Sequence, residues 1–438
     1  MTGVSERSGS PKTAGPFSVL ESKVIRRTIF ILAVGLGLLS VGERLAFIAS
    51  PRGAATDFSQ DYLSARAFND GLDPYTDTGQ LVDRYFGSRS GYYDLLPPGQ
   101  KNPHPPAFVA LNLPLAHLPY KTARVLWLAV SALLTAIALG WFARTLGASQ
   151  WTSVGVGIGG LAIPVVQTDL VYGQVNGVLL LLLLAAWVAL RKKRDNLAGV
   201  SLGFAAALKL FPLLMILLLL RQRRFRAAIW QLATAGAVTV GAVLVFGLHT
   251  TVNFIEKVSP SNLRYWRAAP MNLSLIAIPF RWLTRSTWRP SALNSPFLAW
   301  AIALGLFAAC VFFLLRAAES SFDRAYWLVV PWMLLATPLV WESYLVLLLP
   351  LLGIMIVDSL GEGRIPRLHI LIAMGVVAVG LLPGLPHPLA TSAWQQLIGY
   401  SLPTYGLIIL AINSLRPVQS STNAKTLGMH PLTANASA

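Results

Sequence analysis

The stretch VLWLAVSALLTAIALGWFA, residues 125–143, decides the fold. It carries no charged side chain and is close in length to the ~20 apolar residues that a helix needs to cross a bilayer. Two further apolar runs flank it, TIFILAVGLGLLSVG (28–42) and GVLLLLLLAAWVAL (177–190). Because apolar residues follow one another without alternation, these runs are typical of helices and not of membrane strands. The sequence predicts an all-α polytopic membrane protein.

Composition and charge support this class. Of the 438 residues, 55% are hydrophobic and only 12% are charged, against about 25% charged in soluble domains. The formal net charge is +17, but the Lys and Arg residues cluster in short loops between apolar runs, where they set topology. We therefore expect no nucleic-acid partner. The single cysteine, Cys310, lies in an apolar run and supports no disulfide framework.

The positive-inside rule orients the chain. Two polar tails, residues 1–25 and 416–438, are predicted to be disordered and cytoplasmic, with a single transmembrane domain from 26 to 415 between them. Residues 51–120 then form a large first outer loop with juxtamembrane helices. The basic loops RKKR (191–194) and RQRRFR (221–226) should both lie inside.

The segment between these basic loops, residues 195–220, is long enough for one spanning helix, yet both loops are predicted on the same side of the membrane. One helix of this length would span ~39 Å at ~1.5 Å per residue and would place the loops on opposite sides. Two limbs of about 12 residues would return the chain to the same side, but each would reach only ~18 Å of the ~30 Å core. We predict the short re-entrant hairpin, with its bend near Gly203, Lys209 and Pro212.

The Pro-rich segment NPHPPAFVALNLPLAHLP (102–119) is predicted to be re-entrant or to lie along the outer surface. A second outer loop covers 248–295. The pattern as a whole predicts about 12 membrane segments with both termini inside. These segments are 28–50, 121–144, 152–167, 174–190, two limbs within 195–220, 227–247, 296–316, 326–340, 343–357, 368–383 and 399–414.

Under this topology, the polar residues that interrupt apolar runs meet at the outer face. A charged side chain in lipid costs ~2.5–3.5 kcal/mol even on insertion scales, so it usually faces a cavity or a partner. We therefore interpret these residues as a candidate site. They are Asp57, Asp61, His104, Asp169, Tyr172, Gln174, Asn176, Lys209, Arg264, Arg267, Trp341, Glu342 and Tyr344.

Lys209 is the most informative of these residues, because it is a charged residue between two apolar runs, GFAAAL and LFPLLMILLLL. It is either a structural cation paired with a carboxylate such as Asp169 or a cation for an anionic lipid head group. Asp57 and Asp61 are four residues apart and would share one face of a helix, a pattern that solvated surfaces also show. The histidines have no metal-ligand spacing, and the sequence has no P-loop, GxGxxG or HExxH motif. We expect no metal, no cofactor and no soluble nucleotide-sugar site.

Five motifs in order resemble glycosyltransferase family 87, the bacterial alpha-mannosyltransferase-like members of the GT-C class. The resemblance runs from about residue 25 to 415. The motifs are DFSQDYLSARAFNDGLDPY (57–75), PHPPAFVALNLPLAHLP (103–119), VYGQVNGVLLLLLLA (171–185), LGFAAALKLFPLL (202–214) and LVWESYLVLLLP (339–350).

The resemblance implies a GT-C-type fold in a bacterial inner membrane. It also implies transfer of a sugar, typically mannose, from a polyprenyl phosphate donor to a lipid or glycan acceptor at the outer face, with membrane lipids around the protein. One displacement would invert the anomeric centre.

The resemblance also suggests roles for individual residues. An aspartate of the first outer loop would be the catalytic base. Asp57 matches the family's acid and Asp61 falls where tyrosine is common, so both remain candidates. The residues considered apart from the resemblance fit the same chemistry, in which Lys209, helped by Arg264 or Arg267, would neutralise the donor phosphate. The other residues of the outer-face set would bind substrate.

Two other classes compete with the transferase. A transporter or lipid flippase would use intramembrane charges to line a path, and such proteins often carry inverted repeats and broken helices in corresponding halves. No paired repeat is visible here, and a long acidic loop follows the first helix, which favours the transferase. An assembly partner with a decayed site is the third class; it would lose Asp57 and keep the helices.

Overall fold

A computed structural model describes residues 23–49, 56–87, 99–288, 293–319 and 322–361, with residues 404, 407, 408, 411 and 412. The predicted helix 368–383 and the tail 416–438 lie outside these residues, as do residues 1–22 and most of 399–414.

The regular elements within the described ranges are helices. The α-helices are α1 (Lys23–Ala49), α2 (Asp57–Asn69), α3 (Thr78–Phe86), α4 (Pro106–Asn112), α5 (Tyr120–Thr145), α6 (Gln150–Gly159), α7 (Pro164–Tyr172), α8 (Asn176–Arg191), α9 (Asp195–Leu208), α10 (Met215–Arg221), α11 (Phe225–Phe246), α12 (Leu248–Asn253), α13 (Ser259–Trp266), α14 (Ala277–Leu283), α15 (Pro296–Ala317), α16 (Phe322–Ala336) and α17 (Leu349–Gly361).

Four of the described helices are long and apolar enough to cross a membrane, which fits the ~20 residues that a span requires. They are Val24–Ile48, Tyr120–Thr145, Phe225–Phe246 and Pro296–Ala317. A fifth span is possible if the bent pair Gln150–Ala162 and Pro164–Tyr172 counts as one. The protein is thus a helical membrane protein. The total of about 12 segments stays a prediction, because the other apolar helices in the described ranges are shorter.

The predicted single helix over 152–167 is wrong. The chain forms α6, a 3₁₀ turn over Gly160–Ala162 and α7, with a bend of 64° between the two halves. Pro164 causes the break, because proline has no backbone N–H for the helix ladder and clashes with the preceding turn. Gly159 lets α1 approach at this point, since a Cβ there would lie 2.9 Å from Cβ of Ala33. The bend redirects α7 before the polar residues at its end.

The segment 195–221 also breaks, but not at Gly203. The helix α9 ends at Leu208, Lys209 is extended, and a 3₁₀ turn over Phe211–Leu214 leads into α10. Gly203 lies inside α9, where a Cβ would come within 2.5 Å of Cβ of Thr234 on α11. The expectation of a bend at Gly203 is therefore wrong, because the glycine serves close packing of two helices.

Both ends of this broken segment lie at the same end of the helical bundle. Three ion pairs meet there, formed among residues of the stretches 191–195, 221–224 and 319–323, and they define what we call the basic end. They are Arg191 with Asp323 at 3.3 Å, Arg221 with Glu319 at 2.9 Å and Arg224 with Asp195 at 3.2 Å. The chain therefore leaves the basic end at Asp195 and is back there by Arg221.

The opposite end of the bundle is covered by short helices, and we call it the polar end. The predicted first outer loop supplies α2, α3, α4 and a 3₁₀ turn over Leu115–His117. The residues from 248 to 283 supply α12, α13 and α14. Tyr75 packs on Phe254 with ring centroids 5.1 Å apart and joins the two sets, and Phe68 packs on Phe246 at the end of α11 at 4.5 Å. These helices form a scaffold for the site residues.

Candidate active site

One glutamine connects an aspartate and a lysine that are far apart in the sequence. Gln174, on the turn between α7 and α8, donates from Nε2 to Oδ2 of Asp57 at 2.5 Å. Its Oε1 accepts a hydrogen bond from Nζ of Lys209 at 2.8 Å. Gln174 and Lys209 are buried, and Asp57 is half-buried at the start of α2. A carboxylate and an ammonium are thus held at the two ends of one amide.

The ammonium of Lys209 makes its direct contacts with two side-chain amides and an aromatic ring, and Asp169 and Asp57 lie close enough to act on its charge. Its Nζ lies 3.4 Å from Oδ1 of Asn176 and 3.8 Å from the centroid of the Tyr344 ring, a cation–π contact. Asn176 donates in turn to Oδ1 of Asp169 at 2.7 Å and to Oγ of Ser343 at 3.3 Å. The link from Lys209 to Asp169 therefore passes through an amide. The structural pairing considered from the sequence takes this indirect form.

Asp61 belongs to a second cluster, centred on His104. Its Oδ1 lies 2.7 Å from Nδ1 of His104 and accepts a hydrogen bond from Nδ2 of Asn102 at 3.1 Å. The hydroxyl of Tyr75 donates to the backbone oxygen of His104 at 2.9 Å. Burial raises the pKa of Tyr75, so the hydroxyl keeps its proton. Asp61 is only 1% exposed and is occupied with holding the histidine.

Three other aspartates in the described part of the first outer loop, Asp70, Asp73 and Asp77, have structural roles. The hydroxyl of Tyr85 donates to Oδ2 of Asp70 at 2.8 Å and lowers the pKa of that carboxyl. Asp73 accepts from a backbone amide two residues on at 2.8 Å, and Asp77 caps α3. Within the described ranges, the acids do not gather with histidine or cysteine into a group of three that suits a metal ion. The two candidates for a base remain Asp57 and Asp61.

Tyr172 and Glu342 lie near the Asp57–Gln174–Lys209 contact, and Trp341 directly precedes Glu342. Tyr172 ends α7, is 37% exposed and is close enough to Glu342 and Asp57 to interact with their charges. Glu342 begins a 3₁₀ helix over Glu342–Leu348 that also carries Tyr344. Trp341 packs edge-on against Trp266 with ring centroids 5.5 Å apart. Four of the five motifs thereby contribute residues to one place, namely those at 57–75, 171–185, 202–214 and 339–350.

Arg267 lies beside an apolar cavity of about 210 Å³. Its guanidinium carbon is 4.5 Å from the ring centroid of Phe280 and 5.5 Å from that of Trp300. Burial lowers the pKa of Arg267, and the charge of Arg264 adds to this. Arg264 itself is exposed in the last turn of α13. That these arginines act with Lys209 on one phosphate stays a prediction. The other lining residues are Leu263, Ile276, Ala277, Ala303, Leu304, Phe307, Ala336 and Pro338.

Several contact residues were not identified from the sequence. Asn102 and Ser343 lie inside motifs that the sequence analysis quotes, so their neighbours were a usable signal. Arg124 and Trp127 were read only as parts of an apolar helix. Trp127 donates from Nε1 to the backbone oxygen of Gly173 at 2.7 Å, next to Gln174, and only the tertiary structure brings these residues together.

Comparisons of the sequence identify known proteins that this chain resembles. The sequence model of glycosyltransferase family 87 matches residues 103–338, more than half of the chain. The polyprenol-phosphate-mannose-dependent alpha-(1-2)-phosphatidylinositol pentamannoside mannosyltransferase of Mycobacterium tuberculosis is 26% identical over 378 residues, which are 83% of this chain and 80% of that protein. The protein of the same name from Mycolicibacterium smegmatis is 25% identical, over 78% of this chain and 79% of that protein.

A second kind of relative matches a shorter part of the chain. The alpha-(1->3)-arabinofuranosyltransferase of Corynebacterium glutamicum is 29% identical over 195 residues. These residues are 43% of this chain and 42% of that protein, so the match spans less than half of either. The relatives therefore differ in the sugar that their names specify.

Proposed function

Because the chain belongs to glycosyltransferase family 87, we propose that this membrane glycosyltransferase moves mannose from a polyprenyl phosphate donor to a lipid or glycan acceptor. The transfer takes place at the polar end, which we place at the outer face of a bacterial inner membrane. The observation that carries the proposal is the Asp57–Gln174–Lys209 contact, which holds a base and a cation in a fixed relation. The names of the mannosyltransferase relatives support the donor and the sugar.

Asp57 acts as the general base in the proposed reaction. Its carboxylate takes the proton from the acceptor hydroxyl as the hydroxyl oxygen attacks the anomeric carbon of the donor. The bond from that carbon to the phosphate oxygen breaks, and the lipid phosphate leaves without a general acid. A positioned base of this kind typically contributes about 10²- to 10⁴-fold. One displacement inverts the anomeric centre.

Lys209 neutralises the phosphate as negative charge develops on it. Electrostatic stabilisation of this kind works best in a site from which water is excluded, and Lys209 is 5% exposed. An ammonium has three donors, and its contact to Asn176 is long, at 3.4 Å. A phosphate oxygen replaces this contact when the donor binds, while the bond to Gln174 keeps the ammonium in place.

Asp57 is favoured over Asp61 as the base because the two have different partners. Asp61 is buried against His104 and Asn102, so a proton acceptor at this position would have to give up a contact. An Nδ1–H donated to Asp61 leaves Nε2 of His104 as an acceptor, since a partner on one ring nitrogen sets the state of the other. We assign Asp61 to fixing His104, which then binds a sugar hydroxyl.

The cavity beside Arg267 takes the isoprenoid chain of the donor. Its lining is apolar apart from one cation, which suits an apolar chain that ends in a phosphate. The neighbour of Arg267, Trp266, touches Trp341, which immediately precedes Glu342. The cavity therefore borders the reaction site, and Arg267 lies where it can meet the phosphate end of the chain.

Filling this cavity should weaken donor binding. Ala303 lines it and is 2% exposed. We expect Ala303→Phe to raise the KM for a long-chain donor about 10-fold, since burial is worth ~0.8 kcal/mol per CH₂ and the ring displaces about two such groups. The turnover number at saturation should change little. Steady-state kinetics with purified protein measure both quantities.

The matched control is Ala301→Phe, two residues away on α15 and exposed. It should leave the KM unchanged, and a donor with a very short isoprenoid chain should not distinguish Ala303→Phe from wild type. Equal KM values for the long-chain donor in wild type and Ala303→Phe would rule the cavity out as its binding site.

The broken segment 195–220 is proposed to be a re-entrant hairpin within a fold of about 12 membrane segments. The ion pair between Asp195 and Arg224 supports it, because both basic loops then lie on the cytoplasmic side. On a background without Cys310, cysteines introduced by Asn196→Cys and Gln222→Cys should be labelled only from the cytoplasm. Labelling of the two from opposite sides would make the segment a single spanning helix.

The function itself is tested by incubating purified protein with polyprenyl phosphate mannose and a set of lipid and glycan acceptors. Mass spectrometry should detect a product heavier by one hexose. A product that carries a pentose from the corresponding arabinose donor would replace mannose as the sugar. Transbilayer movement of lipid in proteoliposomes without any product would favour the flippase instead.

A further inference from the structure

Side chains on one face of α5 donate hydrogen bonds to backbone carbonyls at the end of α7. Nη2 of Arg124 donates to the carbonyl oxygen of Leu170 at 3.0 Å and also to that of Val171. One turn further along α5, Trp127 bonds the carbonyl of Gly173. Residues three apart on a helix lie on one face, so both side chains bind the same backbone segment, residues 170–173. The carbonyls of Leu170 and Val171 at the end of α7 thereby gain a side-chain donor, and the carbonyl of Leu170 also accepts the N–H of Gly173 at 3.2 Å.

The same face of α5 also holds the start of α2. The ring of Phe58 stacks on that of Trp127 with centroids 5.7 Å apart, and Cζ of Arg124 lies 5.5 Å from the Phe58 ring centroid. Phe58 directly follows Asp57 and is 1% exposed. Two side chains of one helix therefore fix the residue after the base and the residue before the bridging glutamine.

Gly173 shows how tightly these parts fit. Its φ is +68°, a left-handed conformation that glycine adopts without strain. A Cβ at this position would lie 2.7 Å from Cβ of Phe58 and 2.9 Å from Nη1 of Arg124. The turn that carries Gln174 is thus wedged between α2 and α5, with no room for a side chain.

We propose that Arg124 and Trp127 are positioning residues for the transfer reaction. They hold the 173–176 turn against the start of α2 so that Gln174 is set between Asp57 and Lys209 before substrate binds. Neither residue touches the reacting atoms; each acts through Gln174. We call the contacts of Arg124 and Trp127 with the backbone of residues 170–173 the clamp. This inference rests on the proposed function for its consequence in catalysis, but the clamp itself can be measured without the reaction.

Two variants loosen the clamp to different degrees. Arg124→Lys keeps the positive charge but loses the guanidinium whose Nη2 donates to both carbonyls. We expect it to lower kcat about 10- to 100-fold, since a displacement of ~1 Å can cost about 10²-fold. Trp127→Phe keeps a ring against Phe58 and loses one hydrogen bond, so kcat should fall about 2- to 10-fold. In both variants the donor KM should stay within about 3-fold of wild type, because the donor's binding contacts remain.

The matched controls lie at the other end of the same helix. Arg144→Lys and Trp141→Phe change the same residue types. Arg144 donates to the backbone oxygen of Ala148, four residues further along the chain, and Trp141 is exposed. Both controls should have wild-type kcat and KM. A fall in the controls equal to that in the clamp variants would mean a general effect on α5 and would overturn the proposal.

Hydrogen exchange gives the readout that does not depend on transfer. The amides of Gly173 and Gln174 both donate to the carbonyl of Asp169, at 3.0 and 3.1 Å. In Arg124→Lys and Trp127→Phe, peptides covering 170–176 should exchange faster, while peptides covering 150–158 should exchange as in wild type. Faster exchange over the whole chain, or no change at 170–176, overturns the clamp.

The kinetic outcomes are equally decisive. Wild-type kcat in both variants, or a rise in KM alone, overturns the positioning role. If the wild-type protein transfers no sugar from any donor, the proposed function fails, and the exchange comparison alone then supports or overturns the clamp.

Discussion

Asp57→Asn is expected to lower the turnover number by at least about 100-fold, the lower bound of what a positioned base contributes. Asparagine keeps the shape of the side chain but cannot accept a proton. Membrane insertion and folded yield should be unchanged, because the amide oxygen of asparagine can still accept the hydrogen bond from Gln174. The measurement is kcat with saturating donor, with folded yield followed by size-exclusion chromatography.

The matched control is Asp70→Asn, on the same helix-bearing loop, where the carboxylate bonds Tyr85. It should keep nearly full activity. Asp61→Asn should give an intermediate loss, because it disturbs His104 and not the base. More than about a tenth of wild-type activity in Asp57→Asn would be incompatible with a 10²-fold role and would transfer the role of base to Asp61 if that variant is the inactive one.

Lys209→Met is expected to have the second large effect. Methionine fits the apolar surroundings of Lys209, and the loss of the ammonium should raise the donor KM and lower kcat together by at least about 10-fold, because phosphate contacts act in both the bound and the transition state. Folded yield should survive, since Asp169 keeps its bond from Asn176. Lys209→Arg should recover only part of the activity, because a planar fork does not reproduce a compact ammonium.

If Lys209 has a structural role instead, Lys209→Met should lower folded yield. If the lysine mainly compensates the charge of Asp169, Lys209→Met strands a buried carboxylate at a cost of ~3–5 kcal/mol, and folded yield collapses. Adding Asp169→Asn would then restore folding. Restoration of both folding and full activity in that double variant would exclude Lys209 from phosphate binding. Folded yield, thermal unfolding and kinetics on the same preparations separate the two patterns.

Much of the fold follows from the sequence alone. The helix predicted at 121–144 is α5, Tyr120–Thr145, because a continuous apolar run of that length has a single stable form in a bilayer. The membrane class follows from the same runs. The family resemblance is confirmed by the match over 103–338. Local patterns also placed the breaks near Lys209, where a charged residue and Pro212 interrupt an apolar run.

Other breaks were not predicted correctly from local pattern. The segment 152–167 carries no charged residue and is predicted as one helix, although Pro164 lies within it and the chain bends by 64° there. Gly203 gave the opposite error, because a glycine in an apolar run can mark a bend or a helix contact. Which of the two applies depends on whether another helix lies against it, and that neighbour, α11, is a separate segment of the chain.

The candidate site divides in the same way. The sequence by itself determined which residue types are too costly to leave in lipid without a partner, and so it named Asp57, Lys209 and Gln174 among the candidates. Only the tertiary structure decided that Gln174 joins Asp57 to Lys209, that Asp61 is given to His104, and that Arg124 supports the turn. Burial cost is a property of one residue, readable from its type and neighbours. Partnership is a property of two segments, here more than 100 residues apart for Gln174 and Asp57, and it exists only once the helices have packed.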